Sequence, residues 1–457
     1  MPDIFDLIIL GGGPGGYLAA ERAGQAGLRT LLIEKRALGG VCLNEGCVPS
    51  KAFLHSAKIY EYANGGGEKY GVTVGCVAID QTMVVKRKNR VVQTLVSGVA
   101  AQLKKSKVTI EQGFGEILGK SAEGFELTIN GKSYMGRKLL VATGSAPILP
   151  PIPGLWEAYE SDFGLTNREI LELDHIPERL VVIGGGVIGL EMASYFSSAG
   201  SAVTVIEMLD HIAGNTDREI ASILRKNYEK KGVAFLLSSK ITDIGSDSVT
   251  YEQDGETKTI PAVKVLLSLG RRPVTAGFGL ERLAPEMEGA ALKTDEHCRT
   301  SVAGLYACGD VNGKSMLAHT AYREAEVAVN HMLGKRDTMR YNAVPSVIYT
   351  NPEVASVGET TESAAQKGIE AKEVTVSMLY SGRYVAENED GDGICKLVVD
   401  TKRNRLLGVH MIANYASEII YGAALMIETE LRIDELKELV FPHPTVSECI
   451  REALFML

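Results

Sequence analysis

Apolar residues in this chain gather into short runs that break on glycine, and one such arrangement occurs twice. Leu7-Ile8-Ile9-Leu10 leads into Gly11-Gly12-Gly13-Pro14-Gly15-Gly16. A helical spacing through Ala19, Ala20, Ala23 and Gly27 follows, and then a second run, Thr30-Leu31-Leu32-Ile33, that ends on Glu34. Later, Leu180-Val181-Val182-Ile183 leads into Gly184-Gly185-Gly186-Val187-Ile188-Gly189. A helical pattern through Met192, Ala193 and Phe196 follows, and Ala202-Val203-Thr204-Val205-Ile206 ends on Glu207. The interval from Gly11 to Glu34 equals that from Gly184 to Glu207. Each copy predicts strand, turn, helix and strand.

A single G-x-G-x-x-G is weak evidence, because glycines collect in turns for many reasons. Two copies, each with a carboxylate closing the next strand, point to two dinucleotide sites. Gly11 and Gly13, like Gly184 and Gly186, allow the tight turn and the approach of backbone to a pyrophosphate. Gly16 and Gly189 let the helix pack closely, and Glu34 and Glu207 are placed to accept ribose hydroxyls. Glu207 also repels a ribose 2′-phosphate, and Met208-Leu209-Asp210-His211 supplies no arginine to receive one, so NAD is expected over NADP.

Each copy closes on a further strand and glycine, Lys138 to Gly144 and Val263 to Gly270. Pro147-Ile148-Leu149-Pro150-Pro151-Ile152-Pro153-Gly154 reads as a linker. Leu305-Tyr306-Ala307-Cys308-Gly309-Asp310 is again a strand ending on a carboxylate, so the chain is expected to return to its first domain. From about Tyr341 a mixed segment follows, with a strand at Cys395 to Val399 and a helix after Pro444. The expected fold class is α/β, with two Rossmann-like domains and a C-terminal α+β domain. The expected segments are 1–147, 148–273, 274–340 and 341–457.

With 457 residues, 45% of them hydrophobic, the chain is long enough for three or four cores. Its formal charge of −9 argues against a nucleic-acid surface. The one basic run, Lys86-Arg87-Lys88-Asn89-Arg90, is read as a solvated helix face. No apolar run reaches the length of a membrane span, and the N-terminus lacks the basic and apolar regions of a signal peptide. Neither a membrane nor a metal is expected, and the compartment is expected to be cytoplasmic. Seven cysteines, sparse and odd in number, do not form a secreted disulfide framework.

Two of those cysteines carry chemistry. Cys42 and Cys47 lie in Gly39-Gly40-Val41-Cys42-Leu43-Asn44-Glu45-Gly46-Cys47-Val48-Pro49-Ser50-Lys51, just beyond the first dinucleotide turn. On an ideal helix residues so spaced have Cα atoms roughly 8.6 Å apart. A disulfide wants no more than about 7 Å, so the helix must be distorted there. Strained bonds of this sort are the more easily reduced, and a pair kept as a disulfide in a reducing compartment is usually a working one.

These motifs resemble the flavoprotein disulfide reductases over essentially the whole chain. Leu43-Asn44, Pro49-Ser50-Lys51 and Met316-Leu317-Ala318-His319 are most similar to the lipoamide branch. The tail Phe455-Met456-Leu457 lacks the extra cysteines of mercuric and large thioredoxin reductases. The resemblance implies FAD on the first glycine motif, NAD on the second, and a homodimer made by the C-terminal domain. It implies Cys42 as the thiol that exchanges with substrate and Cys47 as the thiol on the flavin side. Lys51 would pair with Glu191 near the flavin, and Asp310 would bond the ribityl chain, with Met316, Leu317, Ala318 and His319 beneath the ring. Lys35, Gly115, Thr143, Gly144, Ser145 and Gly270 complete the expected cofactor contacts.

The same resemblance makes His443, held in Phe441-Pro442-His443-Pro444-Thr445, the base that deprotonates a substrate thiol. It would be lent to the partner subunit's site and oriented by Glu448. Glu448 has a second reading, since Thr445-Val446-Ser447-Glu448 is a capping box in which it would bond backbone N–H instead. Val41, Glu45 and Cys308 depart from the family's usual residues. The implied reaction is oxidation of dihydrolipoamide carried on another protein, with NAD⁺ as acceptor. That partner would be the lipoyl-bearing component of a 2-oxo acid dehydrogenase or the H protein of glycine cleavage. The alternatives are an NADPH-driven reductase of another disulfide or of mercuric ion, and a non-catalytic FAD-bound subunit. Intact Cys42, Cys47 and His443 weigh against the last.

Overall fold

The computed structural model describes residues 3–388 and 390–457 and divides into two compact units. The first comprises residues 1–52, 82–148 and 270–340. The second comprises 53–81, 149–269 and 341–457.

The first unit is built on one sheet whose strands run Thr109–Gln112, Thr30–Glu34, Asp3–Leu10, Lys132–Val141, Phe125–Ile129 and Gly115–Lys120. Leu305–Ala307 also pairs with Lys132–Val141. The central strands are parallel, in register Leu7 to Thr30 and Ile9 to Leu140, and the edge from Lys132 to Gly115 is an antiparallel meander. Leu7 to Leu10 and Leu31 to Ile33 are buried without alternation, as expected of parallel strands covered on both faces. Helix Pro14–Gln25 lies against helix Ala318–Met332. A Cβ on Gly15 would fall 2.7 Å from Cys308 Sγ and 3.6 Å from Ala321 Cβ, so the missing side chain admits that close approach. Cys308 is thus a core thiol, and burial pushes its pKa well up.

Two expectations change here. The stretch read as a linker, Pro147 to Gly154, gives only Pro147 to a strand, the end of Ser145–Pro147, which pairs antiparallel with Arg271–Pro273; residues 148–154 are irregular as expected. The basic run lies on helix Gln81–Lys105, where Lys86, Asn89 and Arg90 are exposed but Lys88 is buried. Lys88 stands one helical turn after buried Val84 and so shares its packed face. Arg87 donates to the Ala52 carbonyl at 3.1 Å.

The second unit carries the other parallel sheet, ordered Ala234–Leu236, Ala202–Ile206, Arg179–Ile183, Lys264–Leu267 and Gly164–Leu165. A three-stranded antiparallel sheet, Lys240–Ile244, Ser248–Gln253 and Glu256–Pro261, accompanies it. The C-terminal segment forms a five-stranded antiparallel sheet ordered Ser346–Ile348, Glu353–Gly358, Arg405–Ala413, Ile394–Asp400 and Ala371–Ser377. Helices Ala416–Glu428 and Glu448–Phe455 pack onto it around Val409, Met411, Ile420 and Ile450. Among the described residues no helix is long and apolar enough to cross a membrane.

Candidate active site

Both glycine turns have the geometry of a dinucleotide cradle. Gly11 and Gly184 lie at φ +104° and +103°, a region that favours glycine. A Cβ on Gly16 would sit 1.8 Å from Gly11 O, and one on Gly189 would sit 2.1 Å from Gly184 O. By contrast a Cβ on Gly186 meets nothing within 4 Å, and one on Gly13 meets only Gly40 Cα at 3.8 Å. Gly186 therefore faces open space at a helix N-terminus, and Gly13 has only Gly40 in ordinary contact on its Cβ side, so a pyrophosphate can approach the backbone at both. The residues fit a bound dinucleotide in both places.

The two carboxylates act on the turns themselves. Gly12 N donates to Glu34 Oε2 at 2.7 Å, and Gly185 N donates to Glu207 Oε2 at 2.7 Å. Their other oxygens accept from Arg36 N and Leu209 N at 2.7 and 2.9 Å. Each glutamate thus braces its own turn, a role the sequence pattern does not distinguish from ribose binding. Lys35 is exposed beside Glu34.

The thiols sit where the helix breaks. Helix Gly40–Asn44 carries Cys42, Glu45 leaves helical geometry at φ −140°, and Cys47 opens helix Cys47–Glu61. The break lets the side chains meet: Cys42 and Cys47 are thiols hydrogen-bonded to each other, where the sequence led one to expect a disulfide. That bond, followed by burial and the charge on Cys47, pushes the Cys42 pKa up; Lys51 opposes the rise and Asp310 adds to it. The thiol turn rests on the first glycine turn, since Gly39 N donates to Gly12 O at 2.8 Å. A Cβ on Gly40 would lie 2.7 Å from Gly13 Cα. Glu45 N closes the turn on Val41 O at 2.8 Å, and the Glu45 carboxylate pairs with Arg36.

A polar knot surrounds Asp310. Ser145 Oγ donates to its carboxylate, and Arg271 holds Ser145 through Nε to Oγ and Nη2 to the carbonyl, both at 2.8 Å. Thr143 Oγ1 donates to Val274 O at 2.7 Å, while Gly144 and Gly270 both take positive φ. Gly115, itself buried, opens strand Gly115–Lys120, and its missing Cβ leaves room for Leu10 and Ile33. Met316 is partly exposed, and Ala318 and His319 start helix Ala318–Met332 after the extended Leu317.

In the second unit, Glu191 is buried on helix Val187–Ser198 and accepts from Tyr349 N at 3.1 Å. His443 and Glu448 are brought together, His443 Nδ1 bonding Glu448 Oε1 at 2.8 Å. Glu448 Oε2 accepts from Thr445 N at 2.9 Å, so the carboxylate braces the imidazole and closes the turn at once. Burial raises the Glu448 pKa, but the Thr445 N–H and His443 outweigh it and bring the carboxyl below its usual range. The helix beyond Pro444 starts at Glu448.

Residues 5–325 match the family described as pyridine nucleotide-disulphide oxidoreductase, and residues 344–454 match that family's dimerisation domain. The chain belongs to the pyridine nucleotide-disulphide oxidoreductases. It is 36% identical to a dihydrolipoyl dehydrogenase of Cupriavidus necator, a match covering 98% of this chain and 97% of that one. A dihydrolipoyl dehydrogenase of Bacillus subtilis is 38% identical with the same coverage of both chains. The HOCl-induced flavoprotein disulfide reductase RclA of Escherichia coli is similar in structure. It has a TM-score of 0.86 and 26% identity over 99% of this chain and 100% of that one.

Several residues of this oxidoreductase site left no signal in the sequence. Glu324 is fully buried and accepts from Gly309 N at 2.6 Å and Asn312 Nδ2 at 2.8 Å, so it shapes the turn that presents Asp310. Arg271 reaches Ser145 across 126 residues of sequence. Tyr17 and Tyr322 bond each other across 305. Only an acid in a buried helical position could have suggested Glu324; for the others no local pattern exists.

Proposed function

We propose that this protein is a homodimeric dihydrolipoyl dehydrogenase that oxidises dihydrolipoamide on a lipoyl-bearing protein and delivers the electrons to NAD⁺, in a reducing, cytoplasmic compartment. Segments 1–147 and 274–340 serve FAD, 148–273 serves NAD, and 341–457 makes the dimer. The observation that carries this reading is the thiol pair itself. Cys42 and Cys47 are hydrogen-bonded thiols across a broken helix directly on the first dinucleotide turn, in a chain matched end to end by dihydrolipoyl dehydrogenases.

The residues divide the work as follows. With His443 Nδ1 engaged by Glu448, Nε2 takes a proton from one substrate thiol. The resulting thiolate attacks Cys42 Sγ of the oxidised pair, the bond to Cys47 breaks, and Cys47 leaves as thiolate. The second substrate thiol then attacks its neighbour's sulfur, closing the lipoamide ring and releasing Cys42, which takes the proton that this thiol gives up. The raised pKa of Cys42 suits a sulfur that takes a proton while Cys47 holds the charge. When bound, FAD supplies the two-electron relay from this dithiol to NAD⁺. Glu207 presents a carboxylate unfavourable to a 2′-phosphate, in keeping with NAD.

The deciding assay compares dihydrolipoamide with NAD⁺ against glutathione disulfide with NADPH. Turnover with the first pair and none with the second is expected; the reverse would replace the lipoamide assignment by that of another disulfide reductase. Cys42→Ser and Cys47→Ser should each abolish turnover. Only Cys47→Ser should remove the long-wavelength thiol-to-flavin absorbance of the reduced enzyme, and the opposite pattern would exchange the roles of the two sulfurs.

A further inference from the structure

Asn44 takes no part in the chemistry above, yet its side chain reaches back over the whole of the Cys42 helix. Asn44 Nδ2 donates to Gly40 O at 2.8 Å and to Leu38 O at 3.0 Å. Gly40 opens helix Gly40–Asn44, and Leu38 lies two residues before it, against the first dinucleotide turn. A Cβ on Gly12 would fall 3.1 Å from Leu38 Cδ2, and Gly39 N donates to Gly12 O at 2.8 Å. Only the amide nitrogen can face two carbonyl oxygens, so the orientation of this amide follows from its partners. Asn44 is partly buried.

The helix it spans needs such a lock. Five residues close little more than one turn, too few to recover the cost of starting a helix. The first i to i−4 bond, Leu43 N to Gly39 O, is long at 3.3 Å. Gly39 and Gly40 lead in at φ +95° and +57°, and glycine loses more freedom on ordering than any other residue. Cys47 depends on the same element. A Cβ on Gly46, just before Cys47, would lie 3.2 Å from the carbonyl oxygen of Val41, just before Cys42. Both sulfurs are thus placed by a short helix that its own backbone bonds hold weakly.

We propose that Asn44 is a clasp that keeps the Cys42 helix closed and so sets how readily the Cys42–Cys47 pair passes between dithiol and disulfide. The inference rests on the redox reading of that pair. Clasp and disulfide close the same turn, so each favours the other. In the dithiol the amide already holds the turn in which the S–S bond forms, and in the disulfide the amide bonds form in a turn that is held for them. Losing the clasp therefore weakens the disulfide and makes the pair easier to reduce. Asn44 is a positioning residue, acting through the backbone on sulfurs that do the exchange.

The test is made on the purified holoenzyme, equilibrated at neutral pH with varied ratios of reduced to oxidised dithiothreitol. The enzyme's S–S bond becomes two thiols as the two thiols of dithiothreitol close into its cyclic disulfide, so two electrons and two protons pass to the enzyme. Acid quenching, alkylation and mass spectrometry read the fraction of Cys42 and Cys47 present as dithiol. Two neutral hydrogen bonds together move an equilibrium by about tenfold. Asn44→Leu, close in size but without a donor, should reach its midpoint at an about tenfold lower ratio of reduced to oxidised dithiothreitol. For a two-electron couple that is about 30 mV. Asn44→Ser, whose hydroxyl can still donate to the carbonyl four residues back, should shift the midpoint less. A role in stability alone lowers the melting temperature of both redox forms and leaves the midpoint in place. A midpoint unmoved in Asn44→Leu, or moved towards a higher ratio, would overturn the clasp while leaving the redox pair intact. Should that variant fail to fold, an unmoved midpoint in Asn44→Ser is enough to reject it. If wild-type Cys42 and Cys47 form no disulfide at any ratio, the redox reading fails instead.

Discussion

The two glycine turns share one frame and carry different loads. In both, a glycine near φ +104° leads into a helix, and a carboxylate from the next strand braces the turn through a backbone N–H at 2.7 Å. Beyond that strand they diverge. The first copy folds the thiol turn back onto its own glycines, with Gly40 against Gly13 and Gly39 N on Gly12 O. The second leaves Gly186 open and Met208 and Leu209 exposed, and continues to helix Arg218–Lys230. That helix is anchored instead. Asp217 Oδ1 caps its N-terminus at Glu219 and Ile220, while Oδ2 holds the buried Lys396 ammonium at 2.9 Å. A turn overlaid by its own chain suits a retained group, and an open one suits a ligand exchanged in every turnover.

The largest effects should come from filling the turns. Gly16→Ala and Gly189→Ala each drive a Cβ into a backbone carbonyl. Because backbone must move, each is expected to cost more than about 3 kcal/mol at its turn. Gly16→Ala should purify without flavin absorbance. Gly189→Ala should keep its flavin and lose NAD⁺-linked turnover by about 100-fold or more. Loss of flavin from both would erase the proposed division between the turns.

Next comes the anchor that distinguishes the second copy. Lys396→Met leaves Asp217 buried without its cation, and should lower the unfolding free energy of the second unit by about 3 kcal/mol in denaturant titrations. Burial depresses the Lys396 pKa, but bonds to Asp217 and Glu219 overcome it and raise the value to about 12. A base with a raised folded pKa stabilises fully below its unfolded value, here 10.5, and loses that contribution as pH rises through about 12. Wild type should therefore lose stability over that alkaline window, and Lys396→Met should lose less. Equal alkaline losses would show that the ion pair is not the anchor.

Nucleotide choice should shift more modestly. Glu207→Gln keeps an acceptor for backbone N–H but removes the charge, and should raise the NADP⁺ to NAD⁺ ratio of kcat/KM by about tenfold, or about 1.4 kcal/mol. The same change at Glu34 should leave the ratio unmoved. A shift caused by Glu34→Gln would mean that the turns are not assigned to different nucleotides. The smallest effect belongs to Arg36→Ala, which removes the partner of Glu45 from the thiol turn. A half-exposed pair of this kind is worth up to about 1 kcal/mol, so dihydrolipoamide turnover should change by no more than about fivefold.

What could be read from the chain was local. Gly11 to Glu34 and Gly184 to Glu207 announced themselves because strand, turn and helix are encoded within one short interval, and the structure keeps that interval intact in both units. The distortion between Cys42 and Cys47 was expected from helix spacing set against the shorter reach of a disulfide; the structure breaks the helix at Glu45 with the two residues as thiols. At Glu448 a capping reading competed with the pairing to His443 that the family resemblance implied. Its two oxygens meet Thr445 N and His443 Nδ1, but the helix is capped at Ser447, so Thr445 to Glu448 is not the capping box of that helix.

By itself, then, the sequence determined the repeated frame and the thiol pair at its first copy. Positive-φ glycines and short spacings are constraints that a chain carries before it packs. Only the tertiary structure decided that Lys88 would be buried, that Lys396 would reach Asp217 from 179 residues away, and that Tyr322 would meet Tyr17. Such pairings are chosen by helix and sheet faces that pack to bury apolar surface, and polar groups trapped between those faces must find partners wherever the packing has placed them. Residues selected in that way share no interval, periodicity or turn chemistry, so nothing local marks them.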